Sequence, residues 1–171
     1  HDVDILVSGG LEEHAIADLV DQGAPIDGFG VGTKLGTIAD QPYLDTAYKL
    51  CAYDGTPRMK LAPNKKNLVG RKQVVRTFDD QGTATGDVIA PADEVPDTGT
   101  PLLERVMHNG TRTDDAPSLD ALRSRTQSAL AALPPRLHAL EEAPAYPVTI
   151  SGALQARTDA TAERLRTEMA T

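Results

Sequence analysis

Asp4-Ile5-Leu6-Val7-Ser8-Gly9-Gly10-Leu11 and Ile26-Asp27-Gly28-Phe29-Gly30-Val31-Gly32-Thr33 decide how this chain reads. Each is a run of the kind that forms a buried strand, and each stops on small residues. Between them Leu11, Ala15, Ile16, Leu19 and Val20 recur at helical spacing over residues 11–22, and Gly23 closes the turn. The pattern predicts a β-α-β unit whose strands end in neighbouring glycine-rich loops. In a parallel sheet or a (β/α) barrel both loops open at the carboxyl ends of the strands, where free backbone N–H groups can hold a phosphate. The loops after the last two strands are the usual phosphate site of the barrel. The opening of the chain therefore reads as the end of a barrel.

Past residue 45 the pattern changes. Tyr48-Lys49-Leu50-Cys51-Ala52-Tyr53, the turn Asp54-Gly55 and Arg58-Met59-Lys60-Leu61 predict a hairpin over 46–62. A strand follows at 73–78. Residues 79–101 are rich in Asp, Gly, Thr and Pro, with at most a short strand at 87–90. Residues 102–107 before Asn109-Gly110 predict another hairpin arm. Ser118 is placed to cap a helix reaching about Leu133, with Leu119, Leu122, Ala129, Leu130 and Leu133 on one side. Pro134-Pro135 breaks it and starts a short helical turn. Residues 147–150 are extended, and Ser151 caps a last helix bearing Leu154, Ala162, Leu165 and Met169. The chain contains no internal repeat.

The 171 residues suffice for a domain with a core. A net charge of -8 and a pI near 4.9 argue against a general nucleic-acid or anionic-membrane binder. A single cysteine, Cys51, excludes an intrachain disulfide framework and a Cys-rich zinc site. There is no apolar run of transmembrane length and no signal-peptide pattern, so a reducing cytoplasm is the expected compartment. The first residue is His1, and at most two barrel strands precede the change of pattern, whereas a barrel takes eight units and roughly 200 residues. The chain is accordingly expected to be the carboxyl part of a longer protein. Charge is uneven. Residues 1–50 hold nine acidic and two basic side chains, while Gly55–Phe78 holds no acid but Arg58, Lys60, Lys65, Lys66, Arg71, Lys72 and Arg76.

Among residues that could carry chemistry, Gly30-Val31-Gly32-Thr33 leads. Glycine permits close backbone approach, Thr33 adds a hydroxyl, and a dianionic phosphate needs several converging donors. A tight turn without a ligand is the bland alternative. Ser8-Gly9-Gly10 follows the same logic, but Glu12 and Glu13 in the first helical turn would repel an anion set directly on that helix end. The first loop should then reach a ligand from the side, through Ser8 and the glycine amides. The basic run could neutralise a pyrophosphate or nucleotide, with Arg71 and Lys72 as candidate contacts, or form a solvated hairpin face. His14, His108 and His138 lack metal-ligand spacing and an acidic orienter, and Cys51 reads as an inert thiol in a strand. No catalytic residue and no metal site is assigned.

Several ordered stretches carry a resemblance. They are Val7-Ser8-Gly9-Gly10-Leu11-Glu12-Glu13, Gly23 to Thr33, Tyr48-Lys49-Leu50, Pro57-Arg58-Met59-Lys60-Leu61, Gly70-Arg71-Lys72-Gln73-Val74-Val75-Arg76 and Tyr146-Pro147-Val148. Together they resemble the carboxyl part of nicotinate phosphoribosyltransferase, a type II phosphoribosyltransferase. The resemblance implies an α/β fold: residues 1–45 as the last strands of an irregular (β/α) barrel with its phosphate-binding loops, and residues 46–171 as an α+β region with β-hairpins and two helices. That region would pack with a missing amino-terminal domain. It implies an enzyme, a homodimer when complete, that joins nicotinate to phosphoribosyl pyrophosphate with ATP hydrolysis and Mg2+ for NAD synthesis. Thr33 with the Gly30-Val31-Gly32 amides would bind the 5-phosphate, and Ser8, Gly9 and Gly10 would line the ribose-phosphate side. Many family members carry Asp where this chain has Gly10. The family's phosphorylated histidine and most nicotinate-contacting groups lie upstream, so the chain alone is expected to be inactive. A different type II enzyme acting on nicotinamide or quinolinate, and a non-catalytic phosphate-binding or assembly module, are the alternatives.

One structural expectation tests the barrel-end reading. Ile5-Leu6-Val7 is apolar on both faces, as covered parallel strands are. Without neighbouring strands, Ile5, Val7, Phe29 and Val31 should not become fully buried within this chain alone.

Overall fold

Strand β1 (Leu6–Ser8) pairs in parallel with β2 (Gly28–Gly30), and helix α1 (Glu13–Asp21) makes the crossover between them. This is the β-α-β unit read from the sequence, in a computed structural model that describes residues 3–37, 42–43, 46–62, 67–94 and 96–170. Asp27 fastens its open end, since the Ile5 amide donates to Asp27 Oδ2 at 2.7 Å and the Asp27 and Gly28 amides donate to the Ile5 carbonyl. Gly23, at φ +66°, turns the chain out of α1 in the left-handed conformation that glycine adopts without penalty. A single turn, α2 (Thr33–Gly36), follows β2. Each strand is three residues long, and beyond Ser8 the first leaves the ladder where Gly9 and Gly10 turn to positive φ.

These elements belong to the first of two compact units, His1–Tyr48 with Leu140–Glu142. None of its described residues is buried. Leu6 is 77% and Ile5 46% exposed, and Val7, Phe29 and Val31 are only half-buried, as expected of strands lacking neighbours.

The second unit, Lys49–Ala139 with Ala143–Thr171, holds the core. It opens with a hairpin of β3 (Ala52–Tyr53) and β4 (Thr56–Pro57). Asp54 and Gly55 sit at φ +47° and +70°, the pair of positive values a two-residue hairpin turn demands. The hairpin is shorter than expected, and 48–51 and 58–61 are not strands. Pro57 has no N–H with which to continue the ladder. After one more bond, Arg58 N to Cys51 O, the Asn67 side chain takes over: its Oδ1 accepts from Lys60 N at 2.9 Å, and its amide donates to Leu50 and Arg58 carbonyls.

Next come β5 (Lys72–Phe78), β6 (Ala84–Pro91) and β7 (Thr100–Pro101), with β6 and β7 each antiparallel to β5 on its two sides. β6 is eight residues long and paired on both sides, a correction to the short strand expected at 87–90. Gly86 and Asp87 are poor strand formers. Here Asp87 faces Arg76 across the ladder, and Gly86 lies where an added Cβ would come 3.3 Å from the Pro147 carbonyl. Tertiary partners therefore override propensity. A second short hairpin, β8 (Met107–His108) with β9 (Thr111–Arg112), turns through Asn109 and Gly110, both at positive φ. Residues 102–106, expected as part of its arm, lie outside the strands.

Helix α3 (Leu119–Ala131) begins as expected, with Ser118 Oγ accepting from the Ala121 amide. Its apolar residues do not make a core face: none is buried, and Leu119 is 80% exposed. The expected short helical turn is Pro135–Leu137, a 3-10 helix. β10 (Val148–Ile150) then pairs in parallel with β6, completing a four-stranded sheet in the order β10-β6-β5-β7. Ser151 Oγ caps α4 (Gly152–Met169) through the Leu154 amide. Leu154, Thr158, Thr161 and Ala162 form its buried stripe, whereas Met169, expected on that face, is exposed. The two threonines can be buried there because each hydroxyl is satisfied by donating to the carbonyl four residues back. The fold is mixed α/β, with four α-helices among the described residues.

Candidate functional site

The parallel register sets Ser8 opposite Gly30 at the carboxyl ends of β1 and β2. Both glycine loops therefore leave the strand pair side by side. Gly30 is what allows them to approach: a Cβ there would stand 3.0 Å from Ser8 Cβ. Gly9 and Gly10, at φ +108° and +65°, turn the first loop in a backbone conformation closed to most side chains, with open space around them. In the second loop Gly32 precedes α2, and no protein acceptor takes its amide among the described residues. Thr33 is exposed rather than turned into a core. Ser8, Gly9, Gly10, Gly30, Val31, Gly32 and Thr33 are thus brought to one end of one strand pair.

Lys34 is a neighbour that sequence reasoning missed. Its ammonium lies 3.8 Å from Glu12 Oε2, so a cation from the second loop offsets the carboxylate expected to repel an anion from the first. The only signal was its position next to Thr33. Both side chains are partly exposed, so the pair biases the local field without fixing geometry.

Arg71 and Lys72 belong to the second unit. The Lys72 ammonium donates to the Leu68 carbonyl at 3.1 Å and the Gly70 carbonyl at 2.6 Å, while Arg71 is exposed and makes no ion pair among the described residues. Lys65, Lys66 and His1 lie outside the described residues. Arg76, counted in the basic run, is instead structural: its Nε and Nη2 bond the two oxygens of Asp87 at 2.8 and 2.9 Å, and the guanidinium stacks 5.4 Å from the Tyr146 ring centre. The Tyr146 hydroxyl donates to Asp87 Oδ1 at 3.2 Å. The Arg76 hydrogen bonds, aided by its charge and by Tyr146, hold the Asp87 carboxyl below its ordinary pKa, and burial pushes the Tyr146 hydroxyl up.

At the far end of β6, Arg157 of α4 forks onto Asp93 and also bonds Glu94. Asp93 is held below its ordinary pKa by those hydrogen bonds. His14 and His108 are exposed, and a ring nitrogen of His138 lies 3.1 Å from the Leu133 carbonyl. Cys51 is half-buried just before β3, not in a strand. Among the described residues no three His, Cys, Asp or Glu side chains gather as a metal site, and no helix is long and apolar enough to cross a membrane.

Residues 96–157 match the family described as the nicotinate phosphoribosyltransferase C-terminal domain. The nicotinate phosphoribosyltransferase pncB2 of Mycobacterium tuberculosis is 45% identical over 152 residues, covering 87% of this chain and 32% of that protein. The human nicotinate phosphoribosyltransferase is 32% identical over 176 residues, covering 89% of this chain and 33% of its own length. A crystal structure of human nicotinic acid phosphoribosyltransferase superposes with a TM-score of 0.73 at 26% identity, over 94% of this chain and 33% of that one. Over most of its own length the chain thus corresponds to part of the phosphoribosyltransferases. Within that class it corresponds to the C-terminal part of the nicotinate phosphoribosyltransferases. It spans about a third of the length of the curated relatives it matches.

Proposed function

We propose that this chain is the phosphate-holding, carboxyl-terminal part of an enzyme that forms nicotinate mononucleotide from nicotinate and phosphoribosyl pyrophosphate, with ATP hydrolysis. The observation that carries the reading is the Ser8–Gly30 register, which sets two glycine loops side by side in a chain related over most of its length to nicotinate phosphoribosyltransferases. On this reading β1-α1-β2 is the last part of an irregular (β/α) barrel, completed by upstream segments of the same protein in a cytoplasmic homodimer. The Gly30-Val31-Gly32 amides and the Thr33 hydroxyl hold the 5-phosphate of the ribosyl substrate, and Ser8, Gly9 and Gly10 line its ribose-phosphate side. Backbone amides suit this task because they are fixed donors that need no reorganisation as the substrate arrives. Arg71 remains a candidate contact for pyrophosphate or nucleotide. Lys72 contributes charge more than contact, its donors being directed at carbonyls.

On this reading the reaction also takes ATP and Mg2+, as the family resemblance implies. The chain's own contribution is then binding and orientation of the sugar phosphate through the glycine-loop amides. Held there, the anomeric carbon is presented to a base bound by upstream residues, and that proximity is the catalytic gain.

The test uses the full-length protein. Gly32→Val should raise the apparent KM for phosphoribosyl pyrophosphate by about tenfold or more, worth roughly 1.4 kcal/mol of binding, while the KM for nicotinate changes little. An unchanged KM for the sugar phosphate removes the loop from the site. Assays with nicotinate, nicotinamide and quinolinate then fix the base. The 171-residue chain by itself should form no nicotinate mononucleotide, and turnover comparable to a full-length relative overturns the reading.

A further inference from the structure

β7 runs along β5 with Thr100 opposite Arg76 and Pro101 opposite Val75. The Leu102 amide extends this pairing to the Val74 carbonyl at 2.8 Å. One residue further on, a side chain continues the ladder: Gln73 Oε1 accepts from the Leu103 amide at 2.8 Å and Gln73 Nε2 donates to the Leu103 carbonyl at 2.9 Å. This latch ties Leu103-Glu104-Arg105 alongside Arg71-Lys72-Gln73. Between the two segments lies an open depression of about 520 Å³.

We propose that this depression is an anion site for a phosphate-bearing small molecule, gripped by Arg71 from one side and Arg105 from the other. Its lining carries three cations, Arg71, Lys72 and Arg105, against one carboxylate, Glu104, in a chain whose net charge is -8. A local inversion of sign concentrates anions from solution. Neither guanidinium is held by a carboxylate. Arg76, Arg157 and Arg164 are each paired with one, whereas Arg71 and Arg105 make no ion pair among the described residues, and Arg105 Nη1 makes a long contact of 3.5 Å with His108 Nδ1. The carboxylate that feels Arg71, Asp93, is already forked by Arg157. Lys72 adds charge without contact, since its ammonium faces the Leu68 and Gly70 carbonyls. Two planar forks of five donors each suit the several oxygens of a phosphate or pyrophosphate better than a monovalent anion. Exposed Leu103 supplies an apolar wall beside them. The inference deepens the reading of Arg71 as a pyrophosphate or nucleotide contact, and it involves none of the glycine-loop residues.

Backbone amide resonances of the full chain, followed by NMR during titration with inorganic pyrophosphate and separately with ADP, test it. Saturable shifts are expected at Arg71, Gln73, Leu103 and Arg105, with affinity falling about tenfold in Arg71→Gln and in Arg105→Gln. Equal affinity for the two probes assigns the grip to phosphate alone, and tighter ADP binding assigns the Leu103 wall to the nucleoside; either supports the site. Shifts confined to residues 8–10 and 30–33 overturn the cleft and leave the glycine loops standing. Cleft shifts whose affinity is unchanged in Arg105→Gln, or that sodium sulfate reproduces at equal ionic strength, overturn it as well.

Discussion

A carboxylate inside a sheet is costly unless its lone pairs are met, and Asp87, 8% exposed in the middle of β6, is met by two side chains. Arg76 donates to both oxygens and Tyr146 to one of them, while the Asp87 backbone amide donates to the Pro147 carbonyl. These contacts join β5, β6 and the entry to β10 through one side chain. Asp87→Asn leaves the half-buried Arg76 guanidinium without its counter-charge and should destabilise the second unit by roughly 2–4 kcal/mol in urea unfolding. The pH dependence has a definite sign. Because the folded carboxyl titrates below its ordinary value, the native state binds fewer protons than the unfolded chain in that range. Its contribution is complete above about pH 4 and disappears as pH falls through the lowered folded pKa. Circular dichroism at decreasing pH should show that acid-induced loss of stability in the parent and a flatter profile in Asp87→Asn; equal slopes would show that the ion pair does not govern acid unfolding.

α3 and α4 begin alike, with a serine hydroxyl accepting from the amide three residues on, yet they differ in what they bury. α4 lays Leu154, Thr158, Thr161 and Ala162 on one buried stripe and packs on β6. α3 buries nothing among the described residues, and its end is tied to the sheet by a backbone bond from the Ala84 amide to the Ala132 carbonyl. Leu154 is fully buried, so Leu154→Ala should cost about 2–5 kcal/mol through lost transfer energy and the cavity left behind. Leu122→Ala, at a half-buried position on α3, should cost well under half as much. Comparing the two urea midpoints checks this directly. Similar losses would mean that α3 is covered in solution.

At the scale of the molecule, burial is distributed very unequally. Among the described residues every buried one lies in the second unit, while the first presents Leu6, Ile5, Val20 and Leu35 to solvent. A three-residue parallel pair with open edges is marginal without neighbouring strands. Since the chain spans about a third of its relatives' length, the remainder of the same protein is the proposed cover. Hydrogen exchange on the chain alone should therefore run in two classes. Amides of β1 and β2 should exchange orders of magnitude faster than those of Val75 and Val88 in the central ladder. Equal protection in both units would show that the first unit has a core of its own and would remove the need for a cover.

Local chemistry was legible in the sequence wherever a few adjacent residues settle the backbone. Asp54-Gly55 and Asn109-Gly110 turn their hairpins because both positions must hold positive φ, Ser118 and Ser151 start helices because a free hydroxyl caps the first turn, and the β-α-β unit follows from periodicity and terminal glycines. The grouping of Ser8–Gly10 with Gly30–Thr33 was equally legible, since a parallel crossover leaves both loops at the same end. Contacts between distant residues were not. β6 is a full central strand only because Arg76, Pro147 and β10 receive Asp87 and Gly86, and those partners lie up to about sixty residues away. Arg76 and Lys72 read alike as basic residues, yet one neutralises a buried carboxylate and the other faces carbonyls, while Arg71, next to Lys72, stays open to solvent. Spacing along a chain constrains which side chains share a face; only the folded register decides which charges meet, because electrostatic pairing depends on separations of a few ångströms that no local pattern encodes.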